Sequence, residues 1–318
     1  MMVDLKEINT LLSPEKMRDV FKEKKEEIEY PKEIISVDIK TVKKYTDWRS
    51  FNLAIVYKIN NEKKVMGVAN SDKEQKYSFQ SNKLVFDYLT SINREKIAPK
   101  PYCYIKELGL FLEQFLEGEN FGKDIKKGKE IEEEQIKEIA KTTSLIQGVS
   151  LKDSFLKEGI DFYDIKNNIS ILKERREEES LEIENMFDTI EREIREYERE
   201  DRVFAHGDLN PYNIFFKENK IRIIDFGLAH QGSAMCDLAN IISHFETNLD
   251  FNIKRERSDF LERILIESYE EESGNKVVKE EYETHKKYFN LLNLSHVMVW
   301  GDEVNKRRAS EKIKLINQ

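Results

Sequence analysis

The chain has 318 residues, of which 39% are hydrophobic and 36% charged, and its formal net charge is −9. This length exceeds that of a usual domain with a single hydrophobic core and predicts two domains. The net negative charge argues against a nucleic-acid partner, because no basic domain could neutralise phosphates. No apolar run approaches the roughly 18 residues that span a bilayer. Cys103 and Cys236 fit no metal spacing, and the first residues lack a signal-peptide core, so we expect a globular cytoplasmic protein without a membrane partner.

Residues 1–33 are predicted to form a helical extension. Ser13 followed by Pro14 is a helix start, because serine caps the first turn and proline fits its first position. Met17, Val20 and Phe21 then form a narrow apolar stripe. We expect this helix to pack across the domain that follows.

Residues 34–118 are predicted to form the first domain. Three strands are expected at 34–42, 51–59 and 64–69, with Asn60, Asn61 and Glu62 as the turn between the last two. Apolar residues at helical spacing predict a helix at 79–92. Further strands at 102–105 and 110–115 would complete a sheet, and residues 116–119 would lead into the second domain, 119–318.

The second domain is predicted to be mainly helical. Apolar faces with helical periodicity occur near residues 136–143 and 186–197. Tyr288 and Trp300 fall in a later helix, where they could fill the core or form an aromatic cage for a quaternary ammonium group. The core is the favoured interpretation.

One segment of the second domain carries the functional signal. It contains His206-Gly207-Asp208, then Asn213, then Asp225-Phe226-Gly227. Short β-branched and aromatic runs at 214–216 and 221–224, separated by a polar stretch, predict a hairpin. A symmetric hairpin would place Asn213 and Asp225 at the same open end, where neighbouring strands lie about 5 Å apart.

These residue types suit phosphoryl transfer. Two oxygen ligands are too few to hold Mg²⁺ alone, and Mg²⁺ commonly completes its coordination with waters and nucleotide phosphates. A nucleoside triphosphate is therefore the implied cofactor. Asp208 lies in a turn just before the ligand pair, where its carboxylate could accept the proton of an attacking hydroxyl.

The segment HGDLNPYNIFF followed by IDFGLA is similar to the aminoglycoside phosphotransferase and choline kinase-like superfamily. The resemblance implies an α+β, bilobal protein kinase-like fold, with a small antiparallel-sheet N-lobe at 34–118 and a mainly helical C-lobe at 119–318. It also implies ATP and Mg²⁺ as cofactors.

Residue roles follow from the same resemblance. Asp208 would be the catalytic base, Asn213 and Asp225 the Mg²⁺ ligands, and His206 a support of the loop. Asp237 matches a later aspartate that hydrogen-bonds the catalytic loop from a following helix, although it could equally be the N-cap of that helix. Backbone groups from Glu113 to Phe115 would face the adenine.

The first domain departs from the family pattern. The stretch 43–51 has no glycine with which to cover phosphates, and 65–69 has no lysine. Asn82 stands near the position expected for the glutamate that pairs with that lysine. Arg49, Lys58 or Lys73 could substitute for the lysine. Of these, Lys58 is included in the predicted nucleotide site.

The sequence therefore predicts an ATP- and Mg²⁺-dependent phosphotransferase acting on a hydroxyl of a small molecule. Relatives use aminoglycosides, choline or ethanolamine, homoserine and sugars, and the sequence leaves both the acceptor and the oligomeric state open. A pseudokinase or binding module is the alternative from another class. A protein kinase is disfavoured because only nine residues separate Gly227 from Asp237, too few for a long activation segment.

Overall fold

The structure is a computed structural model, and it describes residues 5–46, 51–70, 75–152, 155–198, 202–217, 220–248 and 250–316. The chain divides into two compact units. Unit 1 comprises Met1–Gly118 and Ile224–Gly227, and unit 2 comprises Glu119–Ile223 and Leu228–Gln318.

Unit 1 is built on a five-stranded sheet in which all neighbouring strands are antiparallel and the order is β1-β2-β3-β5-β4. The strands are β1 (Val37–Thr46), β2 (Phe51–Ile59), β3 (Lys63–Asn70), β4 (Pro101–Ile105) and β5 (Leu110–Gln114). Alternate residues of β2 and β3 are buried on one face of the sheet, as expected for strands with one face on a core.

The first strand begins later than the sequence predicts. The backbone amides of Ile35 and Ser36 donate to Asn60 Oδ1 at 2.8 and 3.0 Å. These amides are therefore satisfied by a side chain in the β2–β3 turn, and strand pairing starts only at Val37.

Three helices complete unit 1: α1 (Leu5–Leu11), α2 (Pro14–Glu23) and α3 (Gln75–Ser91). Ser13 caps α2 as predicted, whereas α1 was not predicted. Residues of the N-terminal segment, including Leu11, Met17 and Phe21, share one hydrophobic core with one face of the sheet. The segment 1–33 therefore contributes to the core of unit 1.

Unit 2 is mainly helical. Its helices are α4 (Phe121–Lys126), α5 (Glu133–Gln147), α6 (Tyr163–Arg175), α7 (Glu177–Tyr197), α8 (Met235–Thr247), α9 (Arg255–Ser273), α10 (Lys279–Trp300) and α11 (Glu303–Ile316). Its short strands are β6 (Lys157–Glu158), β7 (Val203–Ala205), β8 (Ile214–Lys217), β9 (Lys220–Ile223) and β10 (His230–Gly232). Strands β8 and β9 form a hairpin, and β10 lies between β6 and β7 in a second small sheet.

Two aromatic residues of helix α10, for which the sequence allowed a place in the core or in an aromatic cage, have different environments. Tyr288 is 2% exposed and belongs to the core, as favoured. Trp300 ends the helix and is 58% exposed, so the core interpretation is wrong for it. The two rings are twelve residues apart on one helix, more than three turns, and cannot form one cage.

Within the described residues, no helix has the length and apolar character to cross a membrane.

Candidate active site

The loop between β7 and β8 is anchored by a buried carboxylate on α8. Asp237 accepts hydrogen bonds from the backbone amides of His206 at 2.8 Å and Gly207 at 3.0 Å. It is fully buried in the first turn of α8. The Oγ of Ser233 accepts from Met235 N at 2.9 Å ahead of the helix, so the N-cap interpretation of Asp237 is wrong.

Two residues before Asp208 set the path of the loop. His206 is fully buried, and its Nδ1 accepts a hydrogen bond from the backbone amide of Asp208 at 3.2 Å. Gly207 has φ of 79°, and a Cβ there would lie 2.2 Å from the carbonyl oxygen of Leu228. Only glycine meets both conditions without moving the backbone.

The Asp208 carboxylate is held by two side-chain amides. Asn210 Nδ2 donates to Asp208 Oδ1 at 2.8 Å, and Asn213 Nδ2 donates to Oδ2 at 2.9 Å. Asn213 also donates to the Asp208 carbonyl oxygen at 2.9 Å. Because its nitrogen faces Asp208, the Oδ1 of Asn213 is the atom suited to bind a cation. The role of Asn210 was missed in the sequence, although its place between the two motif residues was a signal.

The predicted hairpin connects the two halves of the motif. Ile214 at the start of β8 pairs with Ile223 at the end of β9. Asn213 immediately precedes the first of these residues, and Asp225 follows the second by two positions. The tip of the turn, residues 218–219, lies outside the described part of the chain.

Asp225 belongs to the short segment of the chain that clusters with unit 1. Its φ of 67° lies in the left-handed region, which a non-glycine residue adopts at some cost. A Cβ at Gly227 would lie 3.1 Å from both Asp225 Oδ1 and Ser78 Oγ, so glycine leaves room for these two side chains. The segment thus combines a strained backbone with a carboxylate, as functional loops commonly do.

Glu113 on β5 is a second acidic group of unit 1. Its side chain is 7% exposed, and its Oε2 has no hydrogen-bond partner among the described residues. Burial, with a smaller contribution from the negative charge of Asp225, raises the pKa of Glu113 to about 8. The sequence predicted only backbone contacts from Glu113 to Phe115, because nothing local shows that this side chain is buried.

The lysines near the third strand have different surroundings. The ammonium group of Lys63 binds the carbonyl oxygen of Ile28, and that of Lys64 pairs with Glu117 at 3.0 Å. Lys58 is half-buried on β2 and pairs in register with Lys64. Strand alternation therefore places Lys58 on the sheet face opposite the core shared with the N-terminal helices.

The structure describes some of the other residues considered for the nucleotide site. Phe115 is half-buried just after β5, with the Lys64 ammonium 5.3 Å from its ring centroid. Asn82 is 1% exposed on α3 and donates to the Ser78 carbonyl oxygen at 3.2 Å. Arg49 and Lys73 lie outside the described residues, as does part of the stretch without glycine.

A comparison with protein-family models shows the family of this chain. The family model described as "Phosphotransferase enzyme family" matches residues 72–271, most of the chain, including the Asp208 loop and Asp237. The chain belongs to this family. The superfamily resemblance read from its motifs is confirmed, and so is the classification of this phosphotransferase as a transferase of the kinase type.

Solved structures show the fold of the phosphotransferase. Choline kinase from Cryptosporidium parvum Iowa II is 18% identical, with a TM-score of 0.58 over 88% of this chain and 89% of the other. A gentamicin complex of the aminoglycoside phosphotransferase APH(2")-IIa is 13% identical, with a TM-score of 0.56 over 94% of each chain. An amicoumacin kinase in complex with AMP-PNP, Ca²⁺ and Ami is 10% identical, with a TM-score of 0.61 over 86% and 87%.

These likenesses confirm the predicted α+β, protein kinase-like fold. At such low identities they concern the fold alone. A search of curated proteins found no match to the phosphotransferase.

Proposed function

We propose that this protein transfers the γ-phosphoryl group of ATP to a hydroxyl of a small molecule. The observation that carries the proposal is the position of Asp208, whose two carboxylate oxygens each accept a side-chain amide hydrogen bond. The backbone amides of His206 and Gly207 tie the loop that carries Asp208 to the buried Asp237. A carboxylate fixed in this way can act on a bound hydroxyl without first reorganising.

The proposed reaction is a single displacement. The hydroxyl oxygen of the acceptor forms a bond to the γ-phosphorus, and the bond from that phosphorus to the oxygen bridging to the β-phosphate breaks. The acceptor's proton passes to Asp208 and from there to solvent. His206 supports this step by holding the loop, because its Nδ1 accepts a hydrogen bond from the backbone amide of Asp208.

The donor set fits Mg²⁺. Asn213 offers an amide oxygen and Asp225 a carboxylate, the hard oxygen ligands that Mg²⁺ prefers. We assign both residues to the metal, which when bound would neutralise charge on the phosphates. Lys58 is the candidate for a phosphate contact, and backbone groups between Glu113 and Phe115 are the candidates for the adenine contact.

One observation favours a second candidate, a pseudokinase or binding module with weak nucleotide binding. The β3 residues on the same sheet face as Lys58 and Lys64 include Met66 and Val68, where the family pattern calls for a lysine. Such a protein would retain the fold and lack catalytic turnover.

A thermal-shift titration with ATP and Mg²⁺ separates the two candidates. A ligand that binds only the native state raises the melting temperature by mass action, by an amount set by its concentration relative to Kd. We expect a shift at millimolar ATP for both the wild-type protein and Asp208→Asn. We also expect Asp208→Asn to lower phosphoryl transfer, measured as acceptor-dependent ADP release, by about 100-fold or more, since a positioned base contributes that much.

The matched control is Asp188→Asn, which makes the same chemical change at an exposed position on α7. It should leave both the melting shift and the turnover unchanged. Absence of any shift with wild-type protein would support the pseudokinase, and full turnover by Asp208→Asn would refute the role given to Asp208.

A further inference from the structure

Unit 2 contains a cavity of about 370 Å³ at the ends of α8 and α10. Its wall includes His244 and Asn248 from the α8 side, Asn293 and Trp300 from α10, and Asn305 from α11. This volume falls in the range of small-molecule sites.

The cavity is linked to the catalytic loop through Tyr212. The backbone amide of Tyr212 donates to Asn210 Oδ1 at 2.8 Å, and Asn210 in turn holds Asp208. At the other end of the ring, the Tyr212 hydroxyl accepts from Asn248 Nδ2 at 3.2 Å. One tyrosine therefore joins the cavity wall to the residue that holds the proposed base.

The wall of the cavity is close to electrically neutral at pH 7. Burial lowers the pKa of His244 to about 4, and burial also lowers the pKa of His296. Of the described residues that line the cavity, Asp250 alone carries a carboxylate, and it pairs with the Lys126 ammonium at 2.5 Å. Beyond the lining, the negative charge of Asp164 acts on His296 and opposes the effect of burial on its pKa. Among the described lining residues themselves, no carboxylate lacks a basic partner and no ammonium or guanidinium group is present.

Asparagine side chains of the wall are held in position by hydrogen bonds. Asn293 Nδ2 donates to Ser243 Oγ and to Thr247 Oγ1, each at 3.2 Å. This orientation leaves the Asn293 oxygen as an acceptor for a ligand hydroxyl. The Trp300 ring, 58% exposed, adds an apolar surface with its centroid 6.4 Å from that of His296. Amides beside an aromatic face suit a molecule with C–H faces and several hydroxyls.

We infer that this cavity is the acceptor site and that the acceptor is a neutral polyhydroxylated molecule, of the size of a sugar, glycoside or nucleoside. The inference rests on the proposed phosphotransferase function. It disfavours polycationic aminoglycosides and choline as the principal acceptors, because the described lining residues offer no carboxylate that is free to pair with their charge.

The test is an ADP-release screen with three groups of acceptors: neutral sugars, glycosides and nucleosides; aminoglycosides; and choline with ethanolamine. We expect turnover with at least one neutral acceptor and a more than tenfold lower kcat/KM with the other two groups. Trp300→Ala should raise KM for the neutral acceptor at least tenfold. Tyr163→Ala is the matched control, since this aromatic side chain is 68% exposed and lies outside the cavity.

The outcomes separate this inference from the proposed function. If ATP raises the melting temperature and the preferred acceptor is cationic, or Trp300→Ala leaves KM unchanged, the function stands and the inference fails. Failure of every neutral acceptor also overturns the inference. If ATP produces no melting shift, the proposed function itself fails.

Discussion

Asp208 and Glu113 are carboxylic acids in opposite surroundings. Asp208 accepts a hydrogen bond from a side-chain amide on each carboxylate oxygen, from Asn210 and from Asn213. Glu113 is buried on β5, where one of its oxygens lacks a partner among the described residues and the charge of Asp225 opposes ionisation. Burial therefore favours the protonated form of Glu113 at pH 7.

Glu113→Gln should raise the stability of the protein in a pH-dependent way. Because the pKa of about 8 in the folded protein exceeds the ordinary glutamate value of 4.5, the folded state binds the proton more tightly than the unfolded state. The stability of the wild type is then greatest below pH 4.5 and falls as the pH rises toward 8. Gln cannot ionise and removes this loss, worth about 3 kcal/mol at pH 7.

Melting temperatures measured without nucleotide or metal between pH 5 and 8.5 test this expectation. The variant should exceed the wild type at pH 8.5, with a difference that narrows toward pH 5. Glu107→Gln, at an exposed position of the same unit, should follow the wild type at every pH. A constant difference across the range would show that Glu113 is ionised in the folded protein.

At the scale of elements, the sequence predicted a strand boundary correctly where residues next to that boundary determine it. Strand β2 has the predicted bounds, because its alternation ends at the turn residues Asn60 and Asn61, which have φ of 47° and 61°. The start of β1 was wrong because Asn60, distant in sequence, satisfies the amides before it. Helix α1 was missed because it has only seven residues, fewer than the window over which helical periodicity is recognised.

The candidate site shows the same limit. Asp208 and Asn213 are five residues apart, so their contact follows from a local motif. The burial of Glu113 and the hydrogen bond between Tyr212 and Asn248 depend on residues far apart in sequence, and composition and periodicity carry no record of such contacts. Sequence reasoning therefore reached the local contact between Asp208 and Asn213 and missed the wall of the proposed acceptor cavity.

The N-terminal helices are structural elements of unit 1. Phe21 on α2 is fully buried and meets the Tyr57 ring edge-on at a centroid distance of 5.2 Å. Phe21→Ala should lower the free energy of unfolding by about 3–5 kcal/mol, the usual cost of deleting a buried phenylalanine side chain. Urea denaturation measures this loss, and Ile35→Ala, at a residue 71% exposed in the same unit, should change it by less than about 0.5 kcal/mol. Equal effects would mean that α2 is not part of the core.

The whole molecule carries 53 lysines and arginines against 62 aspartates and glutamates. In the described parts of the chain, many basic side chains lie beside carboxylates, as Lys83 does beside Asp87 and Lys166 beside Glu191. Such pairs leave little uncompensated positive charge for a polyanion. Each exposed pair contributes little to stability, so the charge pattern bears mainly on solubility and on the choice of partners.

This charge pattern predicts that the protein does not bind nucleic acid. Binding to a phosphate backbone gains free energy when lysines and arginines displace condensed counterions, and this gain is greatest at low salt. We therefore expect no change in the fluorescence anisotropy of a labelled DNA duplex or single-stranded RNA up to about 10 µM protein, even at 50 mM salt, where non-specific binders are readily detected. A basic protein of similar size provides the positive control. Binding that weakens steeply between 50 and 200 mM salt would instead reveal a local basic surface that the net charge conceals.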